Sequence, residues 1–569
     1  MKRRRTIGVA TSMLAVLITL VASTSSPASI SPASATFTLR AGDPVLGVAL
    51  ETKTVGVPAV PPKADIELAI DTTGSMDPSI AQAKADALAI VSQVQAQVPD
   101  TQFAVVQFKD SGDSPEYALE QAMTSSGAAV QTALNGLSAA GGGDNPEAYN
   151  LVFDNADAAA TGWRSGTRKF VVVIGDAEPH GAGSAGFAGC ADTSADPHGL
   201  NTATELAGMA AAERTLLMIR QVSDRTTTSL GCYQSLAAAG FSGGQAVDGG
   251  GNLATQIVSL VTTAFATVAD VHLEVASASP APAAASWIAF SPASVGPVPA
   301  PSTQSFDLTA TVPAGTPAGS YAFDIEALAD GVDIGHQALT LVVAEKQLTL
   351  SPASAQNPIG TSHTVTAHVF DVLGPYVGDS VSFAIGSGPD TGMTGSDVTN
   401  ASGDALYTYT NTPPNPGIDT ITATDGALTA SATKEWINSP PDCSAVVLDR
   451  TELWPPNHKL VTINGSGATD TDVGDSATLV IDGVTQDEPV NGLGDGDTGP
   501  DAVLSSPLSS SVQLRSERAG TRNGRVYRVH YTATDTHGAT CTGVAKVSVP
   551  HDQAHAAVDS YPLSYDSTL

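Results

Sequence analysis

The chain has 569 residues, with 57 Asp and Glu against 25 Lys and Arg and a formal net charge of −32. A surface this acidic repels polyanions, which excludes nucleic acid and anionic membranes as partners. The length exceeds what one hydrophobic core organises, so several domains are expected.

In chain order, Lys2-Arg3-Arg4-Arg5, an apolar run over Ile7–Ala22 and Ala33-Ser34-Ala35 have the form of a secretory leader cut before Thr36. No later run reaches the roughly 18 apolar residues of a membrane span. The end, DSYPLSYDSTL, holds no sorting motif followed by an apolar tail. The mature chain is therefore expected to be exported without a transmembrane anchor, with residues 36–62 as an N-terminal extension.

From 63 to 268 strand and helix patterns alternate, which predicts a doubly wound, Rossmann-like α/β sheet. Strands are expected at Ala64–Ile70, Gln102–Phe108, Phe170–Ile174, Thr215–Gln221 and Gln245–Val247. Helices are expected at Ser79–Gln97, Ala128–Leu137, Pro146–Ala159, Thr204–Glu213, Cys232–Ala239 and Leu253–Thr267. The first strand runs into Asp71-Thr-Thr73-Gly-Ser75, at the carboxyl edge where open α/β sheets bind ligands. One carboxylate and two hydroxyls are hard oxygen donors, suited to Mg²⁺, Mn²⁺ or Ca²⁺ rather than zinc or copper. The competing reading is an Asx-turn that caps the helix starting near Pro78.

Asp71-x-Thr73-x-Ser75 resembles the metal-ion-dependent adhesion site of von Willebrand factor type A domains. GGGDNPEAY at Gly141–Tyr149 and KFVVVIGDAEPH at Lys169–His180 follow in the family's order. The resemblance implies direct ligation of a divalent cation, Mg²⁺ foremost, by Thr73, Ser75 and Glu147, with Asp71 and Asp176 holding its waters. Glu147 takes the role through a Pro146-Glu147 loop similar to that of integrin β subunits, with Asp144 as the alternative. It further implies an open position for an oxygen, foremost a carboxylate, from an extracellular protein or glycan. The family mostly binds rather than catalyses. His180, His198 and His458 read as loop or buried histidines, and Gly240-Phe-Ser242-Gly-Gly244 as a helix end rather than a nucleophile elbow, which must follow a strand.

After Val268 short Val/Thr/Ala-rich segments alternate with Gly/Pro/Asp turns, which predicts serial all-β sandwiches at 269–345, 346–438 and 439–553, then a flexible tail at 554–569. Phrases such as LTLSPASAQNPIGTSHTVTAHVFD and GIDTITATDGALTASATKEW resemble bacterial Ig-like group 1 repeats of invasin-type surface proteins, which implies a spacer. The third segment resembles a C-terminal sandwich appended to many secreted bacterial proteins. Its Asp470, Asp472 and Asp475, and Asp495, Asp497 and Asp501, have calcium-loop character, against solvated turns as the plainer reading. Arg515, Arg518, Arg522 and Arg525 are available to pair with those acids. Four cysteines in an exported chain predict two disulfides; joining Cys190 to Cys232 and Cys443 to Cys541, each within one domain, is the simplest of three connectivities.

These features point to an adhesion or binding protein and not an enzyme. The alternatives are an assembly protein whose metal only stabilises the fold, and, behind it, a secreted hydrolase. Oligomeric state is not legible.

Overall fold

The computed structural model describes residues 30–143, 145–222, 226, 228–491, 496 and 498–569. It divides into two compact units, one ending at Ala344 and one running Glu345–Leu569.

The first unit opens with Ile30–Ser31 (β1), Ser34–Leu39 (β2) and Val48–Val57 (β3). An α/β layer follows, with strands Lys63–Asp71 (β4), Asp100–Phe108 (β5), Tyr117–Thr124 (β6), Arg168–Gly175 (β7), Arg214–Arg220 (β8) and Gln245–Asp248 (β9). Its helices are Asp77–Gln95 (α1), Gly127–Gly136 (α2), Tyr149–Asn155 (α3), Thr202–Ala211 (α4), Leu230–Ala237 (α5) and Leu253–Phe265 (α6). The strand order is β6-β5-β4-β7-β8-β9, parallel except for β6 against β5. Strands β4, β5, β7 and β8 are buried on both faces and accordingly read as near-continuous apolar runs. On one face Ile66, Leu68 and Ile70 pack with Ile80 and Val91 of α1 and Ile257 and Val261 of α6. On the other, Ala69, Val171 and Met218 pack with Phe153 of α3, Leu206 of α4 and Leu236 of α5. Strand β6 was not expected: as a half-exposed edge strand it shows no period of two. The helix expected from Pro146 begins only at Tyr149, and Glu147 instead makes an isolated parallel bridge with Pro179.

The unit closes with Thr267–Val268 (β10), Val271–Val275 (β11), Ile288–Ser291 (β12), Val298–Pro299 (β13), Ser302–Thr311 (β14), Gly319–Ala329 (β15) and Val332–Val343 (β16). Two four-stranded sheets, β1-β3-β14-β12 and β11-β15-β16-β2, share a core that includes Ile30, Val55, Phe306, Leu308, Ile325 and Leu339. Strand β3 pairs with β14 over its whole length, from Val57↔Ser302 to Val48↔Thr311, and β2 runs parallel to β16. The α/β layer is thus inserted in a sandwich whose strands flank it in sequence. Residues 36–62, expected as an extension, are part of that sandwich. The leader boundary expected before Thr36 falls within this sandwich: Ile30 is fully buried, pairs with Val55, and Ser34 and Ala35 belong to β2. The rest of the expected leader, residues 1–29, lies outside the described residues.

Arg168, at the start of β7, forms an ion pair at 3.0 Å with Asp330 between β15 and β16, both side chains almost fully buried. Asp330 also accepts the backbone N–H groups of Ala269 and Asp270. The sandwich therefore holds the α/β layer at the edge where its parallel strands begin, which leaves their carboxyl ends on the far side.

In the second unit, sheets built on Ser362–Asp371 and on Gly417–Asp425 with Leu428–Ile437 enclose Val365, Val369, Phe383, Ile421 and Trp436. Sheets built on Leu460–Ser466 and on Arg525–Thr534 enclose Ile463, Leu514, Tyr527 and Val547. Tyr565–Asp566 adds a short strand against Thr485 and Gln486, and Ser567 is buried, so the expected tail is packed at its end. Both disulfides join the cysteines of one domain, Cys190–Cys232 and Cys443–Cys541. Among the described residues no helix is long and apolar enough to cross a membrane.

Candidate functional site

Alternation along β4 puts Glu67, Ala69 and Asp71 on the face covered by α3 and α5, and Asp71 ends the strand fully buried. The chain then turns through a short 3₁₀ segment at Gly74–Met76 into α1, whose first turn holds Pro78. Asp71 Oδ1 accepts from the Thr73 N–H at 2.9 Å and the Thr73 hydroxyl at 2.7 Å. The Asx-turn reading is correct to this extent, but neither Thr73 nor Ser75 caps α1 with its side chain. The Thr73 and Ser75 hydroxyls lie 3.2 Å apart, and Ser75 donates to Asp176 Oδ1 at 3.1 Å. Each hydroxyl gives its one proton to a carboxylate, Thr73 to Asp71 and Ser75 to Asp176, so the two bonded pairs stand side by side across β4 and β7 with their hydroxyl oxygens adjacent.

Glu147 enters from a different segment. Its N–H donates to the Glu178 carbonyl at 3.0 Å. Gly142 lies between Glu147 and Thr73: a Cβ there would stand 3.0 Å from the Thr73 Cβ and 3.7 Å from Glu147 Oε1. With φ of +85° as well, that position requires glycine. The glycine run is held down from both sides. Gly74 N–H donates to the Gly141 carbonyl, Gly142 N–H to Asp113 Oδ2 at 2.8 Å, and Gly143 N–H to Asp110 Oδ2 at 2.9 Å. Asp110 and Asp113 were not singled out in the sequence; the available signal was their position just past β5, at the same carboxyl edge as Asp71.

The acids are crowded and dry. Burial pushes Asp71 up to about 7, against the hydrogen bonds from Thr73. Burial, then the neighbouring charges of Asp71, Asp110, Asp176 and Asp113, pushes Glu147 up to about 10. Asp71 Oδ2 and Glu147 Oε2 are both buried with no hydrogen-bond partner. A buried carboxylate oxygen without a donor is costly, and converging hard oxygens are the donor set of a small divalent cation. The residues present thus fit such an ion, which Asp71, Thr73, Ser75, Glu147 and Asp176 could hold. Asp144 lies outside the described residues.

Residues 66–181 match the family described as von Willebrand factor A domain. The chain carries a von Willebrand factor A domain. No curated protein matches the sequence. Among solved structures, it is similar to the open conformation of the pilus adhesin SpaC from Lactobacillus rhamnosus GG, at 12% identity and a TM-score of 0.26 over 88% of this chain and 70% of that one. A likeness that faint carries nothing about function.

The other expected sites fare differently. Asp470 and Asp475 come together with Asp535, not Asp472, with ligand atoms within 4.8 Å of one another. Asp475 is engaged by Thr536 and His537, while Asp472 holds Ser439. Asp501 is fully buried in an ion pair with Arg525 at 2.6 Å, the pairing that the arginine cluster suggested. Asp495 and Asp497 lie outside the described residues. His180 Nδ1 is 3.1 Å from Ser194 Oγ, but that hydroxyl donates to Asp192 at 2.6 Å, so the trio is not a relay that activates a serine. His198 pairs with Glu116 and His458 with Glu517. Gly240–Gly244 forms the turn after α5.

Proposed function

We propose that the protein is a secreted adhesion or binding protein that recognises its partner through a divalent cation, Mg²⁺ foremost, at the carboxyl edge of β4 and β7. The observation that carries the reading is the pair of unpartnered buried oxygens, Asp71 Oδ2 and Glu147 Oε2, beside the adjacent Thr73 and Ser75 hydroxyls that Asp71 and Asp176 hold. Thr73, Ser75 and Glu147 would hold the ion directly, and Asp71 and Asp176 would hold its waters. The bound ion supplies an electrophilic point for one oxygen of the partner, a carboxylate of an extracellular protein or glycan being the hardest donor available.

The chain's own residues do the rest. The Gly141–Gly143 run keeps side chains away from the site, Asp110 and Asp113 fix that run, and the sandwich holds the opposite edge so that the site faces outward. Glu147 brings a negative charge, so the ion attracts a partner's carboxylate less strongly than it would with neutral ligands alone. The Ig-like segments after Ala344 serve as spacers in this reading. Retention of the full chain on a poly-glutamate surface in Mg²⁺, lost in chelator and in Asp71→Ala, is the expected result. Equal retention under all three conditions contradicts it.

The second reading, a metal that only stabilises the fold, draws on the burial of Asp71 and Glu147. It predicts that Asp71→Ala lowers the melting temperature and leaves retention unchanged.

A further inference from the structure

Behind the acids lies a pair of tyrosines for which the proposed recognition gives no reason. Tyr149, at the start of α3, and Tyr233, in α5, are both fully buried, and their hydroxyls are 2.5 Å apart. Tyr233 donates to the Ala177 carbonyl at 2.8 Å. A phenol has one proton to give, so Tyr149 is the donor to Tyr233, and the order Tyr149 to Tyr233 to Ala177 is set. The Tyr149 hydroxyl reaches the seam between β4 and β7. A Cβ on Gly175 would fall 1.9 Å from it and 3.3 Å from the Asp71 Cβ, so glycine is required at 175 for the hydroxyl to sit there.

The same α5 helix grips the strand end a second time. Cys232, next to Tyr233, is bonded to Cys190 in the segment that follows β7, and the N–H of Ala191 donates to Glu178 Oε2 at 2.7 Å. The Glu178 carbonyl in turn receives the Glu147 N–H, and the Glu147 carbonyl receives the Tyr149 N–H. Asp176 and Glu147, on separate segments, are thus tied to each other only two residues from Asp176, and both ties run back to α5.

We infer that Tyr149 and Tyr233 act as positioning residues for the metal site: with the Cys190–Cys232 bond they form a strut from α5 that sets the spacing of Asp176 and Glu147. The strut touches neither the ion nor the partner. It rests on the metal reading above, and it deepens that reading by making the helix opposite the site a determinant of affinity.

The test is Mn²⁺ titration of the chelator-stripped full chain, followed by the electron paramagnetic resonance of bound Mn²⁺, with melting measured in parallel. Tyr233→Phe keeps the ring and removes the hydroxyl. It is expected to weaken Mn²⁺ binding about 10-fold or more, as loss of an outer-shell hydrogen bond does, and to broaden the bound-ion spectrum. Phe170→Leu is the control, since Phe170 packs against Phe265 on the other face of the sheet. It is expected to lower the melting temperature with affinity and spectrum unchanged. Replacing both cysteines, Cys190→Ser with Cys232→Ser, is expected to weaken binding in the same direction as Tyr233→Phe. Wild type that binds one Mn²⁺ while folded Tyr233→Phe binds within twofold of it, with the same spectrum, overturns the strut and leaves the metal site standing. Wild type that binds no Mn²⁺ overturns both.

Discussion

Glu67 offers the sharpest quantitative test of how dry the interior beneath the site is. It faces α3 from the middle of β4, fully buried, with neither carboxylate oxygen hydrogen-bonded. Burial, only partly offset by Arg214, raises its pKa from 4.5 to about 8. The folded value is the higher one, so the folded state holds the proton more tightly than the unfolded state does. The favourable contribution is complete below pH 4.5 and is lost as pH rises to about 8. Each pH unit in that interval costs about 1.4 kcal/mol, which amounts to about 3 kcal/mol at pH 7 and on the order of 5 kcal/mol above pH 8. Glu67→Gln keeps the shape and cannot ionise. By calorimetry the melting transition of the α/β layer should rise at pH 8.5 by roughly 2 to 4 °C for each kcal/mol recovered, and wild type and variant should converge at pH 5. Melting curves that stay parallel from pH 5 to pH 9 would refute the reasoning.

Other consequences concern the site and its frame. Asp71 at about 7 and Glu147 at about 10 both carry a proton at pH 6 without metal, so an ion that binds there must displace them. Affinity for Mg²⁺ should climb with pH and be steepest below pH 7; titration heats identical in two buffers of different ionisation enthalpy would show that no proton leaves. Asp330→Asn strands the buried Arg168 guanidinium and should destabilise the first unit by roughly 3 to 5 kcal/mol, while the apolar double change Arg168→Met with Asp330→Leu should recover much of that loss in the same melting assay. Because β1 and β2 complete the sandwich, Edman sequencing of the protein, secreted as proposed, should find its N-terminus at or before Ile30; a start at Thr36 would contradict that packing.

The α/β layer was legible because buried parallel strands and amphipathic helices leave local signatures, and because Asp71, Glu147 and Asp176 lie in strings that are themselves local. What escaped is long-range or weakly patterned. Nothing within Val48–Val57 announces a partner some 250 residues away at Ser302–Thr311; alternation identifies a strand and not its neighbour. The antiparallel β6 escaped because half-exposed edge residues carry little contrast between faces. The arginine cluster was visible as a partner for the acidic loops, but which arginine meets which acid was not: only the fold brings Arg525 to Asp501. Tyr149 and Tyr233 were invisible as a pair for the same reason, although Tyr149 closes the very string that supplied Glu147.

The account stands or falls on whether the Asp71 site takes a metal. The direct measurement is calorimetric titration of Mg²⁺ and Mn²⁺ into the chelator-stripped protein, alongside Asp71→Ala and Glu147→Ala variants with folding confirmed. One-to-one binding, abolished by Asp71→Ala and weakened by Glu147→Ala, is the predicted result. A folded wild type that takes up no ion, or binding that survives both substitutions, would contradict it.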